Sequence, residues 1–274
     1  MKFLMNIDRR IIYILVFLAI AIPMLKPVGL PFSINESTQN FFNEVDALKP
    51  GDVVVVSYDY DPSSQAQIEP QAKAVLKHLY NKEGIKIINL AFWPSGPLFT
   101  DKYLKEMQGS HNKEYGEDYV SLGYIAGGET AISSFAKDIK KCFSVDRLGN
   151  KTSSLAMLKN INSAKDISLF ITFGSGTPGL AEHIRQVQSV YGTKMVAGMS
   201  SVSVAGYLPY YNAGQIKGYL NGLRGAAEYE TLLKEPGAAT SAMDSLSFAH
   251  MIVIVFIILG NIAYFTNPQR KIRG

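Results

Sequence analysis

Two carboxylates two residues apart, in Tyr58-Asp59-Tyr60-Asp61-Pro62-Ser63-Ser64, follow a short valine-rich run at residues 53–56. Such a pair can hold Mg²⁺ together with phosphate oxygens, or divide the work of nucleophile and general acid. The same residues also suit structure alone: Asp61-Pro62-Ser63-Ser64 reads as a helix-capping sequence, and Asp59 can hydrogen-bond its loop. A second segment, Gly174-Ser175-Gly176-Thr177-Pro178-Gly179, is formally G-x-G-x-x-G. Placed between a strand and a helix, its backbone N–H groups can cradle a phosphate. Pro178 has no N–H to give, and the segment Gly198-Met199-Ser200-Ser201 brings no acid for a ribose. The structural alternative is a tight turn with Thr177 as N-cap and Pro178 at the first helical position. Gly127-Gly128-Glu129 is a third, similar strand-to-helix turn, where Glu129 also complements the helix dipole. The candidate ligand-binding set is therefore Asp59, Asp61, Gly127, Gly128, Gly174, Ser175 and Gly176.

The D-x-D of Asp59 and Asp61 resembles that of haloacid-dehalogenase-type phosphotransferases, where the resemblance would make Asp59 the nucleophile and Asp61 the acid. It covers only these residues. The family pattern also asks for a lysine and a later acidic pair at a strand end, and the fourth strand here ends in Gly174-Ser175-Gly176. Other familiar catalytic sets are missing. His78, His111, His183 and His250 are scattered, with no H-x-x-x-H and no Cys/His cluster for zinc. No G-x-S-x-G elbow is present. The reading names no catalytic residue, no metal and no required cofactor. Cys142 is the only cysteine, so no intramolecular disulfide can form and the domain must be held by its own core.

The elements that must carry these residues alternate. Short apolar, β-branched runs at 52–58, 86–92, 119–125, 167–173 and 194–198 read as buried strands. Helical spacing over 38–48, 64–82, 99–107, 129–143, 153–164, 178–191 and 212–233 separates or flanks them. This predicts an α/β fold, a three-layer Rossmann-like or flavodoxin-like domain on a parallel sheet. Such sheets bind ligands at the carboxyl ends of their strands, where Tyr58, Tyr60, Phe92, Trp93, Tyr124, Phe173, Tyr207, Tyr210 and Tyr211 form an aromatic rim in sequence.

Within the helix expected over 212–233, Gly214, Gly218, Gly222 and Gly225 fall on one side at helical spacing, opposite Ile216, Leu220, Leu223 and Ala227. Each interior glycine costs about 0.8–1 kcal/mol against alanine. A stripe of them is expected to be an interface, a close helix–helix contact with a second subunit or with a neighbouring element of the same chain.

Both ends are strongly apolar. Residues 246–265 contain no Asp, Glu, Lys or Arg, and 11–25 is a nearly unbroken hydrophobic run. The expected layout is a cytoplasmic N-terminus and transmembrane helix over 1–29, a linker over 30–50, an extracytoplasmic α/β domain over 51–235, a linker over 236–245, a second transmembrane helix over 246–265, and a basic cytoplasmic tail over 266–274. The first segment also resembles a signal peptide, but Met24-Leu25-Lys26-Pro27 offers no small-x-small cleavage site. Lys2, Arg9 and Arg10 precede the first span, and Arg270, Lys271 and Arg273 follow the second. By the positive-inside rule both termini face the cytoplasm of a two-pass cell-membrane protein. The net charge of +4 comes from these flanks: residues 1–29 and 246–274 carry seven Lys/Arg against one acid, and the middle carries twenty against twenty-two. A domain without a basic excess is no nucleic-acid binder. The partners expected are the lipid bilayer and a second copy of the chain or another membrane protein. The sequence thus reads as a non-catalytic structural or accessory subunit, probing its partners through protein contacts and homo-oligomeric. The alternative is a membrane-tethered binder of a small ligand (anion, nucleotide or glycan), or a hydrolase, using the strand ends. Asn35-Glu36-Ser37 and Asn150-Lys151-Thr152 are formal glycosylation sequons.

Overall fold

A computed structural model describes residues 8–107, 109 and 112–266. Lys2, His111, Arg270, Lys271 and Arg273 lie outside the described residues. The chain divides into two compact units, Phe32–Glu235 and a second formed by the two terminal segments.

The larger unit is an α/β domain. Helix α2 (Glu36–Asp46) leads into β1 (Val53–Asp59), α3 (Gln65–Asn81), β2 (Lys86–Ala91), α4 (Gly96–Met107) and β3 (Tyr119–Tyr124). Next come α5 (Gly128–Lys137) and α6 (Ile139–Cys142), short 3₁₀ turns, and β4 (Leu169–Gly174). The following helical stretch, α7, begins as Leu180–His183, widens into a π-turn over Ile184–Gln188 and ends at Ser189–Tyr191. Then follow β5 (Met195–Met199), α8 (Val204–Asn212), β6 (Tyr219–Asn221) and α9 (Gly222–Leu233). The six strands form one all-parallel sheet in the order β3-β2-β1-β4-β5-β6, the doubly wound order of Rossmann-like domains.

Strand β1 lies in the middle and is buried along its whole length, which is why Val53–Asp59 shows no polar alternation. Its residues serve two cores. Val54, Val56 and Tyr58 join Ile68, Leu79, Phe173 and Tyr229 on one face of the sheet. Val53 and Val55 join Ile88, Phe135, Phe170 and Ile184 on the other. The chain runs outward from β1 to β3, then returns to β4 on the opposite side of β1. The carboxyl ends of β1 and β4 therefore flank the topological switch point.

The expected elements are altered at several places. Residues 153–164 form 3₁₀ turns at Thr152–Ser154, Ala156–Leu158 and Ala164–Asp166 instead of a helix. The hydroxyls there bond nearby backbone, Ser154 Oγ to the Lys151 carbonyl and Thr152 Oγ1 to the Phe143 carbonyl. The helix expected over 129–143 is interrupted at Asp138, whose carboxylate accepts from the Lys141 N–H and caps a new turn. Residues 238–245, expected as a linker, are helical.

The largest correction concerns the glycines. Residues 212–233 are a turn, the strand β6 and the helix α9, so Gly214, Gly218, Gly222 and Gly225 do not share a helix face. Gly214 (φ +72°) turns the chain out of α8, and Gly222 (φ +52°) turns it into α9 beside Ser201 and Gln67. A Cβ on Gly218 would meet the backbone of α2, 2.6 Å from Phe41 Cα and 2.8 Å from the Ser37 carbonyl oxygen. On Gly225 it would lie 2.8 Å from the Leu220 carbonyl carbon. Gly218, Gly222 and Gly225 thus make room for other parts of their own domain and present no face to a second chain.

In the terminal unit, α1 (Arg9–Leu25) packs against α10 (Ala238–Phe265). Ser245 Oγ donates to the Ile20 carbonyl at 3.0 Å. The buried Asp244 carboxylate accepts the N–H groups of Val28, Gly29 and Leu30 at 2.7, 2.8 and 3.0 Å. Among the described residues, α10 is the one helix long and apolar enough to cross a membrane. The described part of α1 has 17 residues, about 25 Å at 1.5 Å per residue and short of a ~30 Å hydrocarbon core. Asn261, polar within α10, satisfies its amide on the Ile257 carbonyl of its own helix.

The close approach at Gly218 yields a test. Gly218→Ala is expected to cost about 1–3 kcal/mol through overpacking against α2, read as a lower urea midpoint. An unchanged midpoint would show that α2 does not seat on β6 as described.

Candidate functional site

Asp59 ends β1 at the switch point and is fully buried. Its carboxylate gathers donors from three elements. Oδ1 accepts the Phe92 N–H at 2.6 Å, from the end of β2. Oδ2 accepts Ser57 Oγ–H at 2.5 Å, two residues earlier on the same strand face. Oδ2 also pairs with His183 Nε2 at 2.8 Å, from the first turn of α7. The His183 ring is likewise fully buried, with centroids 5.5 Å from Phe92 and 4.9 Å from Phe170. With Nε2 donating to Asp59, Nδ1 is an acceptor that faces no donor among the described residues. The Thr172 and Ser175 hydroxyls are also buried and without partners among the described residues. Thr172 stands beside Ser57 in register across β1 and β4.

The glycine loop closes over this pair. The Ser175 N–H donates to the Asp59 carbonyl at 3.2 Å. Trp93 covers Gly176: a Cβ there would lie 2.8 Å from the indole. The indole Nε1–H donates to the Pro178 carbonyl at 2.6 Å, pinning the loop. Helix α7 starts at Leu180, with Gly179 at the N-cap, rather than with Thr177 and Pro178 in those positions. The Gly179 N–H at the N-cap is taken by the Glu182 carboxylate at 2.8 Å, which closes a capping box. Glu182 in turn accepts from Arg185 Nη2 at 2.7 Å, and Arg185 grips Glu129 in a fork at 2.9 and 2.8 Å. That guanidinium, helped by Gln186, holds the Glu129 carboxyl down at about 2.

Of the residues singled out in the sequence, Asp59, Gly174, Ser175 and Gly176 come together at the switch point. Asp61 does not. Its carboxylate turns back to the Ser63 hydroxyl and N–H at 2.5 and 2.7 Å, which keep it below its usual range. Asp59 and Asp61 thus point to different surroundings and form no metal pair. Among the described residues no group of three or more His, Cys, Asp or Glu side chains is arranged to hold a metal. Gly127 (φ +129°) and Gly128 (φ +57°) turn the chain at the end of the outermost strand β3, away from Asp59. Tyr58, Tyr60, Phe92 and Phe173, expected on an open rim, are core residues, and the Tyr60 and Tyr103 hydroxyls bond each other in the interior. His183, Trp93 and Glu182 complete the arrangement and carried no sequence motif. The available signal was position: His183 is four residues after Gly179, in the turn that a helix after β4 must present to the switch point. Both sequon asparagines already use their amide groups, Asn35 on Glu228 and Asn150 on Asp146.

This geometry holds β1, β2 and α7 together through one carboxylate, and Glu182 closes a capping box on the first turn of α7. No protein-family model matches the chain, and a search of curated proteins returns no match.

Asp59→Ala would leave His183 Nε2 and the Phe92 N–H unpaired in the core, with an expected loss of about 1–3 kcal/mol for each stranded donor. Asp61→Ala, at an exposed turn, should cost about 1 kcal/mol or less. Urea unfolding of the two variants checks this; equal effects would contradict the structural role given to Asp59.

Proposed function

We propose that this chain is a two-pass membrane protein whose α/β domain lies outside the cytoplasm and works as a non-catalytic accessory subunit, through contacts with a second copy or another membrane protein. The observation that carries the reading is helix α8. Its sequence is Val204-Ala-Gly-Tyr-Leu-Pro-Tyr-Tyr-Asn212, yet none of its residues is buried. The surrounding stretch, 200–216, has no charged residue. Val202 is 87% exposed and Leu208 40% exposed. Tyr207, Tyr210 and Tyr211 are half-buried against the domain's own core, and the apolar side chains left exposed, with no charge around them, have the composition of a contact patch rather than of a solvated face. The closed switch point argues in the same direction, since a reaction there would need access to Asp59 and His183.

Membrane placement rests on α10, with its single-helix span, and on the basic residues at both ends of the sequence. The second crossing, by α1, is supported by its packing on α10, by the Asp244 clasp, and by the exposed large apolar side chains along both helices. Cytoplasmic termini follow from the basic flanks.

A second reading, a small-ligand binder or hydrolase at the strand ends, draws on Ser175 Oγ and His183 Nδ1, buried polar atoms without partners among the described residues. The Glu182 carboxylate beside the Gly179 N–H weighs against a phosphate or nucleotide by like charge.

Cross-linking tests the contact. In a Cys142→Ser background, Val202→Cys or Leu208→Cys in native membranes should give bismaleimide products of one defined mass, and Leu208→Asp should reduce partner capture by at least tenfold. Cross-linking no stronger than at an exposed control, Ser134→Cys, would sink the proposal.

A further inference from the structure

A cleft of about 570 Å³ lies at the carboxyl end of β3, bounded by α5 and α6. That volume is within the roughly 300–1,000 Å³ of small-molecule sites. Its lining divides by chemistry. Ile125, Ala126 and Ala131 supply an aliphatic wall, and the half-buried Cys142 thiol adds to it. Burial, then the nearby Asp138, pushes that thiol up to about 11, so it behaves as a small apolar group at neutral pH. Lys137 and Lys141 also line the cleft, four residues apart. Among the described residues neither ammonium forms an ion pair. The acid between them, Asp138, is committed to the Lys141 N–H at 3.0 Å. Gly127 packs closely on Ala131 in the aliphatic wall, since a Cβ there would lie 3.2 Å from Ala131 Cβ.

We infer that this cleft binds an acyl anion, a single carboxylate or phosphate head on an aliphatic chain. Two unpaired lysines lining the same cleft favour an anionic head. The aliphatic wall favours a hydrocarbon body through burial of apolar surface. No aromatic side chain lines the cleft, so it lacks the stacking platform that a nucleobase uses. The head can belong to a free fatty acid or to an anionic phospholipid, and the chemistry is the same. The inference is independent of the α8 contact and does not use the switch point.

The test uses the full-length chain in phosphatidylcholine nanodiscs and a dodecanoate bearing a terminal diazirine. Irradiation should label residues 125–142 saturably, and unlabelled dodecanoate should compete. The methyl ester of the probe should label this segment at least tenfold less, and Lys137→Glu/Lys141→Glu should lose the labelling by a similar factor. A wild-type readout needs no variant: dodecanoate should slow maleimide modification of Cys142. Replacing phosphatidylcholine by phosphatidylglycerol separates the two sources. Competition by the anionic lipid assigns the site to a phospholipid, and its absence assigns it to a free acid; either outcome supports an acyl-anion site. Equal labelling by the ester, or label confined to residues 9–25 and 238–265, would overturn it.

Discussion

A carboxylate at the centre of a parallel sheet, out of reach of water, must be surrounded by donors or not be there at all. Asp59 meets this constraint with the Phe92 N–H, the Ser57 hydroxyl and His183, at 2.6, 2.5 and 2.8 Å. Leaving such a group uncompensated costs several kcal/mol. The three donors come from β1 itself, from the end of β2 and from α7, so the charge can be satisfied only when these elements are in place. One buried anion thereby couples the two halves of the sheet where the chain reverses direction.

The closure of the loop above it follows. The Asp59 backbone carbonyl fixes Ser175, the Trp93 indole fixes Pro178 and lies over Gly176, and Glu182 occupies the N–H of Gly179. In a doubly wound domain this position is the usual place for a ligand. Here Glu182 closes the first turn of α7 and Trp93 covers the loop. The exposed, uncharged surface lies instead on α8, and the open cleft lies beside β3. On the proposed reading, function lies at these outer surfaces and the switch point holds them in position.

Much of the fold is legible from local chemistry. Runs such as Val53–Val56 and Ile87-Ile88 can be buried on both faces only in a central sheet, and the intervening helical periodicity forces parallel connections. The strand β6 is not legible: Tyr219–Asn221 has three residues and no alternation to detect. The glycine spacing in 214–225 imitates a helix stripe because period alone does not reveal backbone angles, and φ +72° and +52° at Gly214 and Gly222 break the helix that the spacing implies. Ser154 and Ser163 similarly divert the backbone into local bonds that a hydrophobic pattern does not register. At the site, Asp59 and the Gly174–Gly176 loop are visible as strand-end residues. Their partner His183 is not, since its importance comes from the packing of α7 between Phe92 and Phe170. Asp59 and Asp61 are two apart in sequence but divided by the strand end: one closes the ladder and points inward, the other begins a turn.

The central claim is that the switch point is a closed structural joint and not a reaction site that opens. Hydrogen exchange of the Phe92 and Ser175 amides tests it most directly, because both N–H groups are held by Asp59. The account predicts protection equal to that of the core strand β1, with exchange only through global unfolding. Exchange through a low-energy opening of residues 174–179, while Val54–Val56 stay protected, would contradict it and return His183 to the chemistry of a ligand-accessible site.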